Sequence, residues 1–527
     1  MKIRGAASYS CLLSAAWMLL LIVPAFARDK QPQPFVIQPD KVAVSQPLSE
    51  IAKTTPAPEF HGWIVRKEHE PRHQKFTFYD LPDPVTQDSE ELQPDAKTFS
   101  IGFNFDGMNG QQAGGVIPPD TNGAVGDNQF FLITNFAFNI YNKTSGALEV
   151  GPLLIHTIWS GFGGQCGTED GGDPVVLYDR LANRWVVEQL EYFSSYQMCI
   201  AVSQTDDATG KYNLYAYTWT TGLPDYPKMS VWPDAYYIAV NNFGSGQGEP
   251  CAVDRNAMLA GSTATLICFT PSNTDFGYLP SNMDGSTPPP SGAPNHYVEL
   301  GNSNTTLKEY DFHVDFAHPK NSTFTGPNTL TVPAYRLLCG GGGGACVPEP
   351  HGGGLLDALG DRMMFRNAYR NFGDHEAMVF SHSVGSSGKS VAAERWYELR
   401  STPPGGSFSV YQAGTYKSGT YNYWMGSVAL DKVGDMALGF SVDNSTSVDP
   451  SIWFTGRKPT DKLNKLEAKV IAHTGTQVQG AVNRWGDYSS MSVDPTDDCT
   501  FWYTQEYTDG GYNWQSHVVS FKFNACH

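Results

Sequence analysis

Four aspartates stand where apolar, strand-like segments begin, and carboxylates at such places can bind cations. They are Asp120, Asp173, Asp225 and Asp487, each beside a proline or glycine that is typical of turns. Carboxylates that converge repel one another unless protons or a cation neutralise them. If the fold brings the four together, they form a site for calcium, which prefers oxygen ligands, or for a basic or polyhydroxyl ligand. The alternative, which the residues alone favour, is that each carboxylate accepts hydrogen bonds within its own turn.

Other side chains near these aspartates extend the candidate ligand site. Arg484 and Trp485 precede Asp487, and Trp424 opens another apolar segment. Tryptophan rings stack on sugars, although most tryptophans of such a chain fill its core. His375 lies in the polar run 371–376. It is either an acid/base group at the site or part of a hairpin turn, and the turn is favoured.

No motif assigns a catalytic residue. His375-Glu376 begins like the HExxH pattern of zinc proteases, but Val379 stands where the second histidine belongs. The chain also lacks the GxSxG nucleophile elbow and the GxxxxGK[ST] phosphate loop. The motifs therefore leave open whether the protein is an enzyme.

A repeated segment indicates which elements position the aspartates. Residues 225–234 match residues 487–495, and both segments continue into apolar strands. Looser copies place turn-forming residues near positions 127, 183, 234, 295, 361, 435 and 498. With abundant glycine, proline and aromatic residues, this pattern predicts an all-β chain that forms a single β-propeller, most simply of seven antiparallel blades. A β-sandwich explains the strands but not the repeats, and six or eight blades stay open.

In a propeller, the first strand of each blade lines a central channel, so the four aspartates are predicted to meet at one mouth of it. Ring closure needs a partner for the last blade, because unpaired edges are exposed. The alternating segment Thr98 to Phe105 is predicted to pair with His517 to Phe523.

The first part of the chain is predicted to lie outside the propeller. Lys2 and Arg4, an apolar run over 15–23 and the small residues of 25–27 are typical of a signal peptide ending at residue 27, which predicts a secreted or periplasmic protein. The apolar run is too short for a membrane span. Residues 28–97 are rich in proline and polar residues and predict an extended, poorly structured leader or pro-segment, followed by the propeller over 98–527.

Cysteine content and charge agree with export. Of nine cysteines, Cys11 falls in the predicted signal peptide, and sequential pairing of the rest predicts four disulfides: Cys166 with Cys199, Cys251 with Cys268, Cys339 with Cys346, and Cys499 with Cys526. The net charge is −18 and becomes −20 without Lys2 and Arg4. Such an acidic chain argues against nucleic acid as a partner.

Several segments resemble a family of exported, uncharacterised microbial proteins with propeller-like sequences. The resemblance covers about residues 98 to 525 and rests on PPDTNGAVGDNQFF, WSGFGG, GDPVVLYDRLANRW, YRNFGDHEAMV, RWYELR, YWMGSVALD, PSIWFTGR and NRWGDYSSMSVDPTDDCTFWYTQEY. It implies a propeller fold and no particular activity. A more distant similarity is to sialidase-type propellers, but their Asp-box S-x-D-x-G-x-T-W has only a partial counterpart at 282–287, without the tryptophan.

Three functions fit these features. The leading hypothesis is an exported binding module that takes a glycan or an extracellular peptide at an acidic channel mouth, with calcium as the candidate cofactor. The alternative is a glycan-cleaving hydrolase or lyase that uses a carboxylate pair such as Asp120 and Asp487. The third is a surface or adhesion scaffold. Neither the ligand nor the oligomeric state follows from the sequence.

Overall fold

A computed structural model describes residues 32–67, 76–92, 98–271, 275–386, 391–480, 482–509 and 514–527. The predicted signal peptide, with its end at residue 27, lies outside these ranges. The elements that precede the repeated part of the fold are β1 (Phe35–Ile37), β2 (Lys41–Val44), α1 (Leu48–Ile51), β3 (Ile64–Val65), β4 (Thr86–Asp88), β5 (Phe99–Asn109) and β6 (Val116–Ile117).

The following strands pair antiparallel with their sequence neighbours in four-stranded meanders. The first three meanders are β7 (Asn122–Val125), β8 (Gln129–Thr134), β9 (Ala137–Asn142) and β10 (Leu148–Leu154); β11 (Val175–Asp179), β12 (Arg184–Glu191), β13 (Tyr196–Ser203) and β14 (Tyr212–Trp219); and β15 (Pro224–Val231), β16 (Ala235–Asn242), β17 (Gln247–Asp254) and β18 (Leu266–Cys268), with α2 (Arg255–Leu259) before β18.

The chain continues with β19 (Leu279–Asp284), β20 (Asn295–Leu300), β21 (Thr306–His313) and β22 (Thr323–Thr331); a hairpin of β23 (Ala345–Pro348) and β24 (Leu355–Asp357); β25 (Asn367–Asn371), β26 (Glu376–Gly385), β27 (Ala392–Ser401) and β28 (Ser409–Lys417); and β29 (Asn422–Leu430), β30 (Met436–Asp443), β31 (Ser451–Arg457) and β32 (Val470–His473). The last sheet contains β33 (Ser490–Val493), β34 (Phe501–Thr508) and β35 (Trp514–Phe523), with β5 as its fourth strand.

The first strands of the meanders form a closed ring. In order, β7, β11, β15, β19, β25, β29 and β33 each contact the next first strand, and β33 contacts β7. This arrangement is a β-propeller, as the repeats predicted, and it explains why the first strands are almost completely buried. Large apolar side chains fill the space between neighbouring sheets, where burial of aromatic rings stabilises sheet packing.

Sheets and blades do not correspond one to one. β19 pairs in parallel with β25, which joins two meanders and β4 into one nine-stranded sheet. The predicted number of seven blades therefore stays a prediction. A turn lies at residues 360–361, as predicted, but it precedes β25, and the turn between β25 and β26 lies at 372–375, in the polar run that contains His375. The apolar residues 363–365, taken for a strand, are buried irregular chain.

The predicted closure is confirmed. β5 pairs antiparallel with β35, from Phe99 opposite Phe523 to Asn109 opposite Gln515. The four predicted disulfides are confirmed as well, with S–S distances of 1.93 to 2.03 Å. Under the loop-closure model each contributes about 2 to 4 kcal/mol.

The leader differs from its prediction as poorly structured. In its described residues, β1 extends the edge of the sheet at β18, β2 pairs with β14, and β4 pairs in parallel with β28. The outer strands of a propeller leave unpaired backbone groups, and main-chain hydrogen bonds to such an edge do not need an apolar sequence. None of the described helices has the length and hydropathy to cross a lipid bilayer.

Candidate functional site

The four predicted aspartates line one pocket at the end of the channel where the first strands begin. Its volume is about 50 Å³. This is room for an ion or a few water molecules. We call the pocket the acidic mouth, and its lining residues are Arg66, Lys67, Asp120, Asn135, Gly171, Asp173, Leu190, Tyr192, Leu223, Asp225, Tyr226, Arg362, Arg484 and Asp487.

An unusual backbone conformation recurs where the first strands begin. Asp120 and Asp173, each two residues before its strand, have φ values of 47° and 51°. Tyr226, in the bulge of β15 beside Asp225, has a φ of 53°. Residues other than glycine pay for this left-handed conformation, and such residues cluster at functional sites. The tight turns direct the aspartates toward the channel axis.

Asn135 connects the turns of two blades. Its Nδ2 donates to Asp120 Oδ2 at 2.6 Å and to the Pro118 carbonyl at 3.0 Å, and its Oδ1 accepts from the Asp173 N–H at 2.8 Å. Asp120 Oδ1 accepts from the Asp487 N–H at 2.7 Å, across the closure of the ring. Asp120 thus joins separate blades, in contrast to the prediction that it caps its own turn.

Burial and mutual repulsion keep protons on part of this cluster. Burial, followed by repulsion from Asp487 and Asp173, raises the pKa of Asp120 well above its usual range. Burial and then repulsion from Asp225 and Asp487 raise the pKa of Asp173 to about 7. Burial raises the pKa of the neighbouring Glu191 to about 9. The acidic mouth therefore holds carboxyl groups that change charge near neutral pH.

Arg484 balances the negative charge of two carboxylates on one side of the mouth. Its Nη2 lies 3.0 Å from Asp487 Oδ1 and its Nη1 lies 3.0 Å from Asp357 Oδ2. Burial nevertheless raises the pKa of Asp357 to about 6. A planar guanidinium bridges two carboxylates in this way and fixes their orientation.

The repeated sequence pair meets at the floor of the mouth. Tyr226 and Tyr488, equivalent in the two copies, have ring centroids 6.2 Å apart. Lys228 Nζ lies 3.4 Å from the Tyr226 centroid and 4.1 Å from that of Tyr488. Burial lowers the pKa of Lys228 to about 8, against the attraction of Asp173 and other acids. The Lys228 ammonium therefore lies between two aromatic rings beside the mouth.

Two basic residues of the leader, Arg66 and Lys67, line the mouth. β3 pairs in parallel with β6, and the Arg66 N–H donates to the Ile117 carbonyl at 2.7 Å. The Arg66 guanidinium carbon lies 5.1 Å from the Phe136 ring centroid and 4.9 Å from that of Tyr192. Burial lowers the pKa of Arg66, and the charges of Asp173, Asp120, Asp225 and Glu191 oppose that shift. Arg66 is thus a cation in an aromatic and acidic setting.

The remaining predicted ligand residues do not line this pocket. Trp424 and Trp485 are completely buried, with ring centroids 5.6 Å apart, and the Trp485 Nε1 donates to Ser441 Oγ at 3.1 Å. His375 lies on the turn after β25, at the opposite end of the first strands, where it packs on Phe372. Arg484 and the four aspartates are the predicted site residues that come together.

The aspartates do not lie at the mutual distances of a compact metal site. In the part of the chain that the structure describes, three groups of histidine, cysteine or carboxylate ligand atoms lie within 4.8 Å of one another, and none includes Asp120, Asp173, Asp225 or Asp487. Calcium at these four residues stays a prediction.

Several residues in the mouth or next to it were not predicted from the sequence. The sequence could have indicated Lys228, because a charged residue stands there in an apolar repeat whose other copy has Ser490. Asn135 directly follows an apolar strand, which is a weak signal. Arg66 had none, because its segment shows no repeat. Arg362 follows the repeat position at 361, but nothing in that copy indicates that its side chain reaches the mouth.

No family model matches the chain, and no curated protein matches its sequence. Among solved structures it is similar to an endo-arabinase from Bacteroides thetaiotaomicron, with 13% identity over 53% of this chain and 92% of that one and a TM-score of 0.27. It is also similar to the WD40 domain of SCAP from fission yeast, with 7% identity, coverage of 74% and 80% and a TM-score of 0.30. The extracellular domains 1–2 of Drosophila Semaphorin 1a have 10% identity, coverage of 82% and 89% and a TM-score of 0.35. Such low similarity carries no conclusion on function, and the fold rests on the strand pairing.

Proposed function

We propose that this protein is an exported binding module whose acidic mouth takes a guanidinium or ammonium group of an extracellular peptide or protein. The observation that carries the proposal is the placement of Arg66, whose guanidinium lies in the mouth between Phe136 and Tyr192 and faces Asp120 and Asp173. The chain's own leader thus presents the chemical group that the site fits. Export is supported by four disulfides, which form in oxidising compartments.

The surroundings favour a cationic group over a whole sugar ring. The pocket of about 50 Å³ is too small for a ring to enter, but it accepts the tip of a side chain. Outside it, Phe193 and Tyr196 are 55% and 41% exposed, and Tyr192 stacks on Phe193 at 5.0 Å. Aromatic faces next to carboxylates bind organic cations. These rings provide a surface for the rest of a peptide.

The first experiment tests competition with Arg66. We expect Arg66→Ala to bind a hexa-arginine peptide about tenfold more tightly than the unchanged chain in calorimetry, because the occupant of the mouth is removed. Asp173→Asn combined with Asp225→Asn should abolish that gain. Arg184→Ala is the matched control, since Arg184 donates to backbone carbonyls of its own turn. Equal affinity of Arg66→Ala and the unchanged chain would contradict the proposal.

A second candidate function is glycan cleavage with Asp120 as a general acid. It is favoured by the raised pKa of Asp120, because burial and nearby carboxylates keep this group protonated, as a proton donor requires. Against it, both Asp120 oxygens already accept hydrogen bonds. Release of reducing ends from polysaccharides by the mature chain, lost in Asp120→Asn, would favour the enzyme. Absence of both cleavage and peptide binding would favour a scaffold.

A further inference from the structure

A cluster of two histidines and one aspartate lies at the ring closure, away from the acidic mouth. Asp106 belongs to β5, His517 to β35 and His473 to β32 of the preceding meander. Their ligand atoms all lie within 4.8 Å of one another. We call these three residues the His–Asp cluster. It brings together three parts of the chain that are far apart in sequence.

The cluster is held in place by its neighbours. His517 Nδ1 lies 2.7 Å from Asp106 Oδ1, and the imidazole rings of His473 and His517 have centroids 4.4 Å apart. The Tyr507 hydroxyl donates to Asp106 Oδ1 at 3.2 Å, and its ring packs on His473 at 4.0 Å. The His517 side chain is 4% exposed, whereas that of Asp106 is 50% exposed. The cluster therefore has a buried inner side and a side open to solvent.

The contacts of His517 require a positive charge. Its Nδ1 faces an oxygen of Asp106 and its Nε2 faces Oδ1 of Asn104. The Asn104 amide nitrogen donates to the Ala472 carbonyl at 3.4 Å, which orients Oδ1 toward the ring. A neutral imidazole has one N–H, so it can satisfy one of these two acceptors. The other contact needs a second proton or a metal ion.

A metal ion fits the remaining contact, because the ligand atoms of Asp106, His473 and His517 lie within 4.8 Å of one another and the His473 ring lies beside that of His517. Neutral imidazoles are the form that coordinates metals. With Nε2–H donating to Asn104, the His517 Nδ1 is left as a ligand atom next to the Asp106 carboxylate.

We propose that Asp106, His473 and His517 bind a divalent transition-metal cation of the zinc type. Two imidazoles and a carboxylate are a ligand set of zinc and of related metals, whereas calcium takes oxygen ligands almost exclusively. Asn104 acts beside the metal by fixing the ring orientation of His517. The exposed side of Asp106 leaves coordination positions for water or an external ligand. Because the ligands come from β5, β35 and the neighbouring β32, the metal fastens the closure of the ring.

The test uses the mature chain without a histidine tag, stripped of metal with a chelator. We expect calorimetry to show one zinc ion bound per chain, and zinc but not calcium to raise the melting temperature. Asp106→Asn and His473→Gln should each weaken zinc binding at least about tenfold. Cobalt in place of zinc should give visible absorption bands that are lost in the same variants.

His318→Gln is the matched control. The His318 side chain is 75% exposed and pairs with Asp315, and both residues lie on a different blade from the His–Asp cluster. This variant should bind zinc as the unchanged chain does. The proposal is overturned if zinc does not bind, if Asp106→Asn and His473→Gln bind it unchanged, or if calcium competes for the site. A melting temperature that depends on pH but not on zinc would mean that a proton charges His517.

Discussion

The two ends of the channel handle buried charge differently. At the acidic mouth, Asp120 and Asp173 have raised pKa values because they are buried near other carboxylates. At the opposite end, Asp498 receives Arg370 Nη1 and Nη2 at 2.8 Å each and Arg180 Nη1 at 2.9 Å. Burial raises the pKa of Asp498, but the hydrogen bonds and charge of Arg370 and Arg180 outweigh it and hold the pKa below its usual range.

The difference separates an end with paired charges from the end where we propose that a ligand binds. We call the end with paired charges, which contains Arg180, Arg366, Arg370, Asp284 and Asp498, the arginine end; its cavity of about 30 Å³ is lined by Arg180, Asp284 and Arg366 among others. There, Arg366 pairs with Asp284, and Arg370 and Arg180 pair with Asp498, so the ion pairs join separate blades. Burial still raises the pKa of Asp284, because it outweighs the attraction of the arginines. At the acidic mouth, carboxyl groups compete for protons and cations, so that end gains most from a cationic ligand.

The largest expected effect is at the arginine end. Arg370→Ala should lower the free energy of unfolding by about 3 to 5 kcal/mol, because the buried Arg370 binds both carboxylate oxygens of the partly buried Asp498 and donates to the Leu430 carbonyl. Denaturant unfolding measures this. Arg184→Ala, which removes an arginine from a turn without an ion pair in the described structure, should change stability by less than about 0.5 kcal/mol. A similar loss in both variants would remove the distinction between the ends.

A smaller loss is expected at the acidic mouth from Asn135→Ala. This variant removes the amide that bonds Asp120, the Pro118 carbonyl and the Asp173 N–H, so buried polar groups lose partners. The cost should be about 1 to 3 kcal/mol. The exposed Asn321→Ala is the control. An unchanged stability would mean that water replaces the amide.

The smallest expected effect is a gain in stability rather than a loss, and it comes from Asp173→Asn. Between pH 3.8 and about 7 the folded chain holds a proton on Asp173 that the unfolded chain releases, so stability from this group falls as pH rises through that range. Asp173→Asn avoids the loss and should be more stable than the unchanged chain by about 1 to 2 kcal/mol near pH 8, with no difference near pH 4. Urea unfolding at both pH values checks this. Lower stability of Asp173→Asn near pH 8 would mean that the ionised carboxylate is paired.

The sequence predicted much of the fold because its signals were local or repeated. Alternation predicted β5, the need to close the ring predicted its pairing with β35, and sequential cysteines predicted the disulfides. The segment after the turn at 360–361 shows the limit, because buried irregular chain at 363–365 has the same apolar composition as a strand. The leader was misjudged because strand addition at an edge depends on the neighbouring backbone more than on the added sequence.

Residue types and spacing by themselves determined that this chain is all-β, that its strands recur, and that Asp120, Asp173, Asp225 and Asp487 stand where the first strands begin. Only the tertiary structure decided the charge and the contacts around them, because Arg66 comes from a segment outside the repeats and Asn135 meets Asp120 and Asp173 only where two blades pack together. It likewise brought Asp106, His473 and His517 together. The reason is physical: local patterns set backbone conformation, whereas burial and charge at a site depend on side chains that meet only when the ring closes.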